Sequence, residues 1–474
     1  MARCMYRWLR TIVAGIAMVS ASAGRLAAAD RPPNIVVILI DDMGWLDLGC
    51  QGSKYYETPN IDRLATQGVR FSTAYSACTV CSPTRAALMT GQYPARLHIT
   101  DWIAGHVRPF AKLRVPDWNK QLAVGTPTIA QALKSAGYAT ASIGKWHLGG
   151  EACYPDKHGF DINVAGCHMG QPPSYFAPYK IPTLTEGPDG EYLTDRLTKE
   201  AERFIESNRT KPFFLYMPHY TVHNPLQPRA DLLAKYQKKA KPTDFAYKPA
   251  YAAMVESVDE SVGHIVRKLD ELMLTDSTLL VFTSDNGGLA ANTPTAPLRA
   301  GKGSAYEGGV RVPLIVRWPS VARPGTVCQE PVITQDLFWT ALDAAGASAP
   351  AATPPDGRSF RPWLSGDVNA PVRPLYWHYP HYHPGGATPY SAVRYRDWRL
   401  VEFFETSRVE LYHLSNDPSE TIDLAAKEPQ RTADLRKMLA DWRVSVGAQV
   451  PTPNPDFDPA KANQAAASVK GKAK

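Results

Sequence analysis

Five short apolar runs constrain the fold of this chain more than any other feature: Ile35–Ile40, Ala139–Ile143, Phe213–Met217, Leu279–Thr283 and Val312–Val316. Four of them do not alternate apolar with polar residues, and the fifth, Ala139–Ile143, interleaves only the small Thr140 and Ser142. A strand with one wet face must alternate, so these runs are expected to be buried on both faces. That places them in a mostly parallel sheet covered by helices. Helical stretches lie between them. Thr128–Ala136 ends at Gly137, and Leu193–Asn208 carries Leu193, Leu197, Ala201, Phe204 and Ile205. Ala252–Leu272 repeats Val255, Val258, Val262, Ile265, Val266 and Leu269 at steps of three and four, the period of a helix with one apolar face. Strands alternating with helices predict an α/β fold.

The texture changes near residue 370. Ala392–Val401 and Val409–Leu414 read as strands of a short antiparallel sheet, and Pro429–Val444 as a closing helix. The expected division is a larger domain over 30–370, a smaller C-terminal subdomain over 371–459, and a disordered polar tail over 460–474.

Residues 1–29 read as a signal peptide. Arg3, Arg7 and Arg10 precede the mostly small and apolar stretch Thr11–Gly24, and Ala27-Ala28-Ala29 offers a cleavage site before Asp30. The apolar stretch is short for a membrane span of about 20 residues. The expected product is exported to the periplasm or the extracellular space, with no stable membrane insertion. The formal charge is +7; the four arginines before Ala27 sit in a leader without acids, which leaves +3 for the remaining 445 residues. So weak a basic bias argues against nucleic acid as a partner. Export permits disulfides. Six cysteines follow the leader, and Cys153 with Cys167 form a plausible pair.

The chemistry-bearing residues follow the buried runs. Asp41 and Asp42 come after the first, Lys145 and His147 after the second, His219 and His223 after the third, and Asp285 and Asn286 after the fourth. Ligands of open parallel sheets bind at the carboxyl ends of the strands, so these side chains can converge. Asp41, Asp42, Asp285 and Asn286 offer oxygen only, which suits calcium or magnesium; zinc would call for more His or Cys. Taken alone, an Asp-Asp pair also serves as a turn or a helix cap. Likewise, Gly301-Lys302-Gly303 alone reads as a flexible loop.

Cys78-Thr79-Val80-Cys81-Ser82-Pro83-Thr84-Arg85 is the sharpest segment. Pro83 near its start and Gly91 past its end frame a short helix. Cys81 then lies at the helix N-terminus, where amides and macrodipole favour an anion, and Arg85 is one turn along the same face. A thiol beside an oxygen-only cation site is a poor chemical match, which suggests that Cys81 does not act as a thiol.

Cys81-Ser82-Pro83-Thr84-Arg85 matches the Cys-x-Pro-x-Arg signature of type I sulfatases, and the Ala-Ala-Leu-Met-Thr-Gly-Gln-Tyr-Pro that follows also resembles that family. The resemblance runs from Asn34 to about Asp423 through five motifs in the family's order. It implies an alkaline-phosphatase-like fold with a small C-terminal sheet and helix. It also implies that a formylglycine-generating enzyme converts Cys81 to formylglycine (3-oxoalanine). One calcium would be held by Asp41, Asp42, Asp285, Asn286 and the matured Cys81. Arg85, Lys145, His147, His223 and Lys302 match the residues around the sulfate.

The implied reaction is sulfuric ester hydrolysis. The hydrated aldehyde attacks sulfur in line, with Asp285 as proton acceptor and Lys145, Lys302 and the metal neutralising the oxygens. His223 or Lys302 protonates the leaving alcohol, and both remain open. His147 then takes the proton that lets the aldehyde reform. The resemblance points to a sulfated sugar or glycan cleaved in exo fashion, with galactose-type sugars as one expectation. Aromatic rings and imidazoles in Tyr376–His383 fit a sugar pocket or a packing layer, and His378 is the expected substrate contact. Two alternatives remain: a phosphate or phosphonate ester hydrolase on the same fold, and a sulfated-glycan binding protein with a degenerate site.

Overall fold

The computed structural model describes residues 31–242, 247–351, 353–367 and 371–465. The leader over 1–29 and the last part of the expected tail lie outside them. All five apolar runs are strands of one nine-stranded sheet. Across it the order is Val332–Ile333, Val69–Tyr75, Arg311–Arg317, Thr278–Ser284, Asn34–Ile40, Phe213–Pro218, Ala139–Ile143 and Ile162–Val164. Thr326–Cys328 pairs with Val69–Tyr75 as well. Asn34–Ile40 is central and buried throughout, with Ile35 opposite Phe214 on one side and Leu279 on the other, both in parallel register.

One strand breaks the parallel rule. Arg311–Arg317 runs antiparallel to both of its neighbours. It therefore starts at the edge where its neighbour Thr278–Ser284 ends, and the loop before it, which contains Lys302, is delivered to that edge. Val69–Tyr75 is not a continuous apolar run, because Arg70 and Ser72 interrupt it, and its first half alternates buried with half-buried residues. It lies parallel to the central strand and ends just before the Cys78–Arg85 segment.

Helices Pro59–Gln67, Leu193–Ser207 and Ala230–Lys238 pack around the long helix Pro249–Glu271. Cys81–Thr90, Ile129–Ser135 and Gln335–Ala345 form a second group. The apolar stripes read from the sequence are the buried faces: Leu193, Leu197, Ala201, Phe204 and Ile205 are all inside.

The C-terminal region is a four-stranded antiparallel sheet of Leu375–Tyr379, Tyr390–Tyr395, Trp398–Phe403 and Val409–His413, covered by helix Pro429–Ser445. The run read as one strand over Ala392–Val401 is in fact a hairpin. It turns at Arg396-Asp397, with Arg396 in the left-handed region at φ 55°. This sheet shares a core with the site-forming segments: Trp377, Val393 and Leu400 cluster with Tyr75, Val80, Ala305 and Val310. Trp377 Nε1 donates to the Ser76 carbonyl at 2.9 Å, and Arg399 pairs with Glu307 at 2.7 Å. The C-terminal unit thus props up both the Cys78–Arg85 segment and the Lys302 loop.

The expected Cys153–Cys167 disulfide does not form; both are free thiols. A core of this size needs no staple. Among the described residues no helix is long and apolar enough to cross a membrane.

Candidate active site

Strand direction assembles the site. The parallel strands ending at Ile40, Tyr75, Ile143, Pro218 and Ser284 all deliver their following loops to one edge of the sheet. The reversed strand adds Lys302 to the same edge. Asp41, Asp42, Cys81, Arg85, Lys145, His147, His223, Asp285, Asn286 and Lys302 come together there, linked by the contacts that follow.

Cys81 opens helix Cys81–Thr90 after an extended Val80, and Gly91 closes it at φ 69°. Thr84 Oγ1 accepts the Cys78 amide at 3.1 Å, which ties the entering loop to the first turn. The Cys81 sulfur is 3.3 Å from His147 Nδ1. The other nitrogen, His147 Nε2, makes a short hydrogen bond to the Ile103 carbonyl. A carbonyl can only accept, so Nε2 carries the proton and the Nδ1 lone pair faces position 81. Burial, and after it Lys145, holds the imidazole well below its usual range, so it is neutral.

Three buried carboxylates meet three buried cations. Arg85 reaches Asp285 Oδ2 from Nε at 3.0 Å and Nη2 at 2.7 Å. Lys145 Nζ is 2.6 Å from Asp41 Oδ2, and Lys302 Nζ is 2.6 Å from Asp42 Oδ1. Asn286 Nδ2 donates to Asp42 Oδ1 at 2.8 Å. His223 donates from Nδ1 to its neighbour's carbonyl at 2.9 Å, and its Nε2 lies 3.6 Å from Asp42 Oδ2. Burial raises Asp41 well above the usual carboxylate range, against the pull of Lys145. Burial also works to raise Asp42, but Lys302 and His223 outweigh it and hold that carboxyl below its ordinary value. Burial lowers His223 to about 3 despite Asp42. Lys302 is desolvated too, yet Asp42 and its neighbours hold it above its ordinary value.

Among the described residues of this cluster, two buried acceptors have no hydrogen-bond partner, Asp41 Oδ1 and Asn286 Oδ1. Orphaned buried oxygens are costly, and a cation removes the cost. Asp41, Asp42 and His223 have ligand atoms within 4.8 Å of one another. With Asp285 and Asn286 added, the donor set is almost all oxygen, so it fits a hard divalent cation.

A cleft of about 340 Å³ opens over these groups, reaching Asp42, Cys81, His147, His223 and Lys302. Its outer wall is Trp102, Ile103, Gln171, Leu289, His383 and Pro384. A larger surface hollow of about 560 Å³ beside Gln131 and Ser348 carries no titratable side chain and lies away from this chemistry. His378 is not in the cleft wall. Its Nδ1 bonds Ser391 Oγ and its Nε2 bonds the Gln449 carbonyl, each at 2.7 Å. Both nitrogens are used within the C-terminal unit, because inward positions of a strand serve its own core. His383, from the same aromatic segment, lines the cleft instead; it follows the strand on a glycine-rich loop, and loops form site walls.

A family described as Sulfatase matches residues 33–347. The chain belongs to the sulfatase family. A second match, described as N-sulphoglucosamine sulphohydrolase, C-terminal, covers residues 301–445. This sulfatase is 34% identical to a sulfatase of Formosa agariphila, over 89% of each chain. It is 35% identical to the N-acetylgalactosamine-6-sulfatase of Mus musculus, over 73% of this chain and 69% of that one. A solved structure of Ps i-CgsB in complex with k-i-k-neocarrahexaose superimposes with a TM-score of 0.74 and 31% identity, covering 90% of this chain and 95% of that one. The protein is therefore a type I sulfatase of the alkaline phosphatase superfamily and a sulfuric ester hydrolase, with that superfamily's fold.

Proposed function

We propose that this sulfatase removes sulfate from a sulfated carbohydrate at a chain end, using one calcium ion and a formylglycine made from Cys81. The observation that carries the reading is the junction of a neutral His147, its Nδ1 lone pair 3.3 Å from the Cys81 sulfur, with a buried oxygen-rich cluster. The sulfur atom stands in for the oxygen that the formylglycine would present. Calcium would be held by Asp41, Asp42, Asp285, Asn286 and residue 81. Together the ion and the formylglycine would supply an acidified oxygen nucleophile and charge neutralisation at the sulfate. The orphaned Asp41 and Asn286 oxygens support this assignment.

The chain's own residues then have separate tasks. Arg85, one turn from residue 81, holds the nucleophile end in place and keeps Asp285 oriented as proton acceptor. Lys145 and Lys302 neutralise sulfate oxygens, with their ammonium groups braced by Asp41 and Asp42. Lys302 supplies the proton to the leaving alcohol from its ammonium group, or His223 does so once its Nε2 has taken up a proton. His147 Nδ1 takes a proton from residue 81 and so frees the sulfate. A positioned acid or base of this kind contributes about 10²–10⁴ in rate.

The carbohydrate assignment is supported by two of those names, N-acetylgalactosamine-6-sulfatase and the Ps i-CgsB complex with k-i-k-neocarrahexaose, and by Trp102 and His383 in the outer wall of the cleft. A cleft of about 340 Å³ is at the small end for ligand sites, which favours one terminal ring over an internal segment. Export to the periplasm or outside the cell, with maturation by a formylglycine-generating enzyme, completes the reading.

The test is sulfate release by ion chromatography from a panel of sulfated sugars. The protein is co-expressed with a formylglycine-generating enzyme, supplied with calcium, and run beside matched phosphate esters and the Cys81→Ala variant. Release from a sugar sulfate that is lost in Cys81→Ala supports the reading. Turnover undiminished in that variant, or preference for the phosphate ester, overturns it.

A further inference from the structure

Beyond the sulfate end, the wall of the cleft holds no formally charged side chain among the described residues. It is made by Trp102, Ile103, Gln171, Leu289, His383 and Pro384. The charged groups nearby do not line that wall, although Arg108 and Lys120 have neutral partners and one oxygen of Asp101 has none among the described residues. Arg108 donates to the His383 carbonyl at 3.2 Å and to Asn463 at 3.3 Å, and lies over the Tyr382 ring. Lys120 sits on the Trp118 ring, 3.2 Å from its centroid. Asp101 is buried and accepts from the Tyr379 hydroxyl and the Trp102 amide.

His383 is fixed in one tautomer. Its Nδ1 accepts the Gly385 amide at 2.9 Å. An amide can only donate, so the neutral ring carries its proton on Nε2. Among the described residues Nε2 has no hydrogen-bond partner. Burial lowers the imidazole to about 4, which keeps it neutral. The ring is seated against the loop that carries Lys302. A Cβ at Gly303, which has φ 79°, would lie 1.9 Å from His383 Nδ1, so only glycine fits there. The Trp102 ring packs edge-on to His383 at 5.3 Å.

We propose that this outer half of the cleft is an uncharged sugar subsite, with His383 Nε2 donating to a substrate hydroxyl and Trp102 offering its ring to the sugar's C–H face. The sugar unit it takes carries no charge except the sulfate being removed. An adjacent carboxylate or second sulfate would be buried here with no cation in the lining wall to pair with it. This deepens the reading above and rests on it.

The experiment measures kcat/KM of the matured full-length enzyme on four probes. They are 4-nitrophenyl sulfate, singly sulfated galactoses with the ester at each position, their disulfated counterparts, and sulfated glucuronates. The singly sulfated neutral sugar is expected to exceed the doubly charged ones by about 100-fold or more. His383→Ala is expected to lose about 10- to 100-fold more on that sugar than on the aryl sulfate. His383→Gln, which keeps an N–H donor, should recover part of the loss. Equal losses on both probes, no loss on the sugar, or preference for doubly charged sugars overturns the proposal. So does activity confined to the aryl sulfate. If the enzyme with a verified aldehyde at position 81 is silent on every sulfate, the site reading itself fails, and this inference falls with it.

Discussion

Arg85 grips a single oxygen of Asp285 with two nitrogens, Nε at 3.0 Å and Nη2 at 2.7 Å, and both side chains are fully buried. Its remaining nitrogen donates to the Lys145 carbonyl at 2.8 Å. That leaves Asp285 Oδ1 to receive the Asp42 amide at 3.2 Å. One guanidinium therefore sets the aim of three site segments. Lysine keeps the charge but not the fork. Arg85→Lys is expected to lower kcat/KM by about 10²-fold or more, and to destabilise the fold by about 3 kcal/mol because Asp285 is left under-paired. Steady-state kinetics and urea unfolding check both parts. Kinetics close to wild type would mean that the charge alone suffices.

Metal removal should be felt in stability as well as in turnover. Asp41, Asp42 and Asp285 are buried together, and two neighbouring oxygens lack partners. A cation that binds only the folded state stabilises it by about 2.7 kcal/mol at a hundredfold excess over Kd. Chelation is therefore expected to lower Tm, calcium to restore it, and Asp42→Asn to shrink the calcium-dependent shift. Differential scanning fluorimetry with and without EGTA measures this. A Tm indifferent to both would remove the metal from the site.

Gly144 controls how Lys145 and His147 leave their strand. It sits at φ 128°, and a Cβ there would come within 1.9 Å of the Pro218 carbonyl oxygen. Backbone cannot step aside as a flexible side chain can. The Lys145 amide also bonds that same carbonyl at 2.7 Å. Gly144→Ala is expected to cost about 3 kcal/mol or more and to misplace Lys145 together with His147. Denaturant unfolding and kcat/KM should fall together. A stable, active variant would show that this crossing of two strands can relax.

Much of this was legible in the sequence because it depends on local pattern. Strands buried on both faces need not alternate, so an unbroken apolar run such as Ile35–Ile40 marks one, and the residues just after such runs land at one edge by topology. What stayed hidden depended on distant partners. Val69–Tyr75 is half polar and becomes a strand only through Arg311–Arg317. The reversal of that latter strand leaves no mark in its own composition. Nothing local separates His378 from His383, two imidazoles five positions apart in one aromatic segment. Their roles diverge because one stands on a strand and the other on the loop beyond it. Arg396-Asp397 is a weak turn signal without glycine, so the strand pattern runs through the hairpin as if it were a single strand.

A pH effect on stability is expected at a distance from the chemistry. Glu420 is buried against the Glu307 amide at 2.7 Å and Arg399 Nε at 3.4 Å. Burial lifts its carboxyl to about 8, although Arg399 pulls the other way. The folded value lies above the unfolded one, so the folded state holds the extra proton. The contribution to stability is full below about pH 4.5 and is lost as pH rises through 8. Glu420→Gln should flatten the decline between those limits. Urea unfolding at intervals from pH 5 to 8 tests it, and an unchanged slope in the variant would assign the decline to another group.

His378 provides the sharpest separation between packing and function. Its two nitrogens are both committed, to Ser391 Oγ and to the Gln449 carbonyl, and the ring lies edge-on to Phe404 at 5.9 Å. Burial lowers the imidazole to about 4, so it stays neutral near neutral pH. Removing the ring strands the Gln449 carbonyl and opens a gap between the C-terminal sheet and the chain that follows its helix. His378→Ala is expected to cost about 1–3 kcal/mol in unfolding free energy. The effect on kcat/KM for the sugar substrate should stay within about threefold, because the side chain sends no polar atom to the cleft. The two readouts are measured on the same preparation. A large kinetic loss at unchanged stability would return His378 to the substrate site and require the Gln449 contact to open when sugar binds.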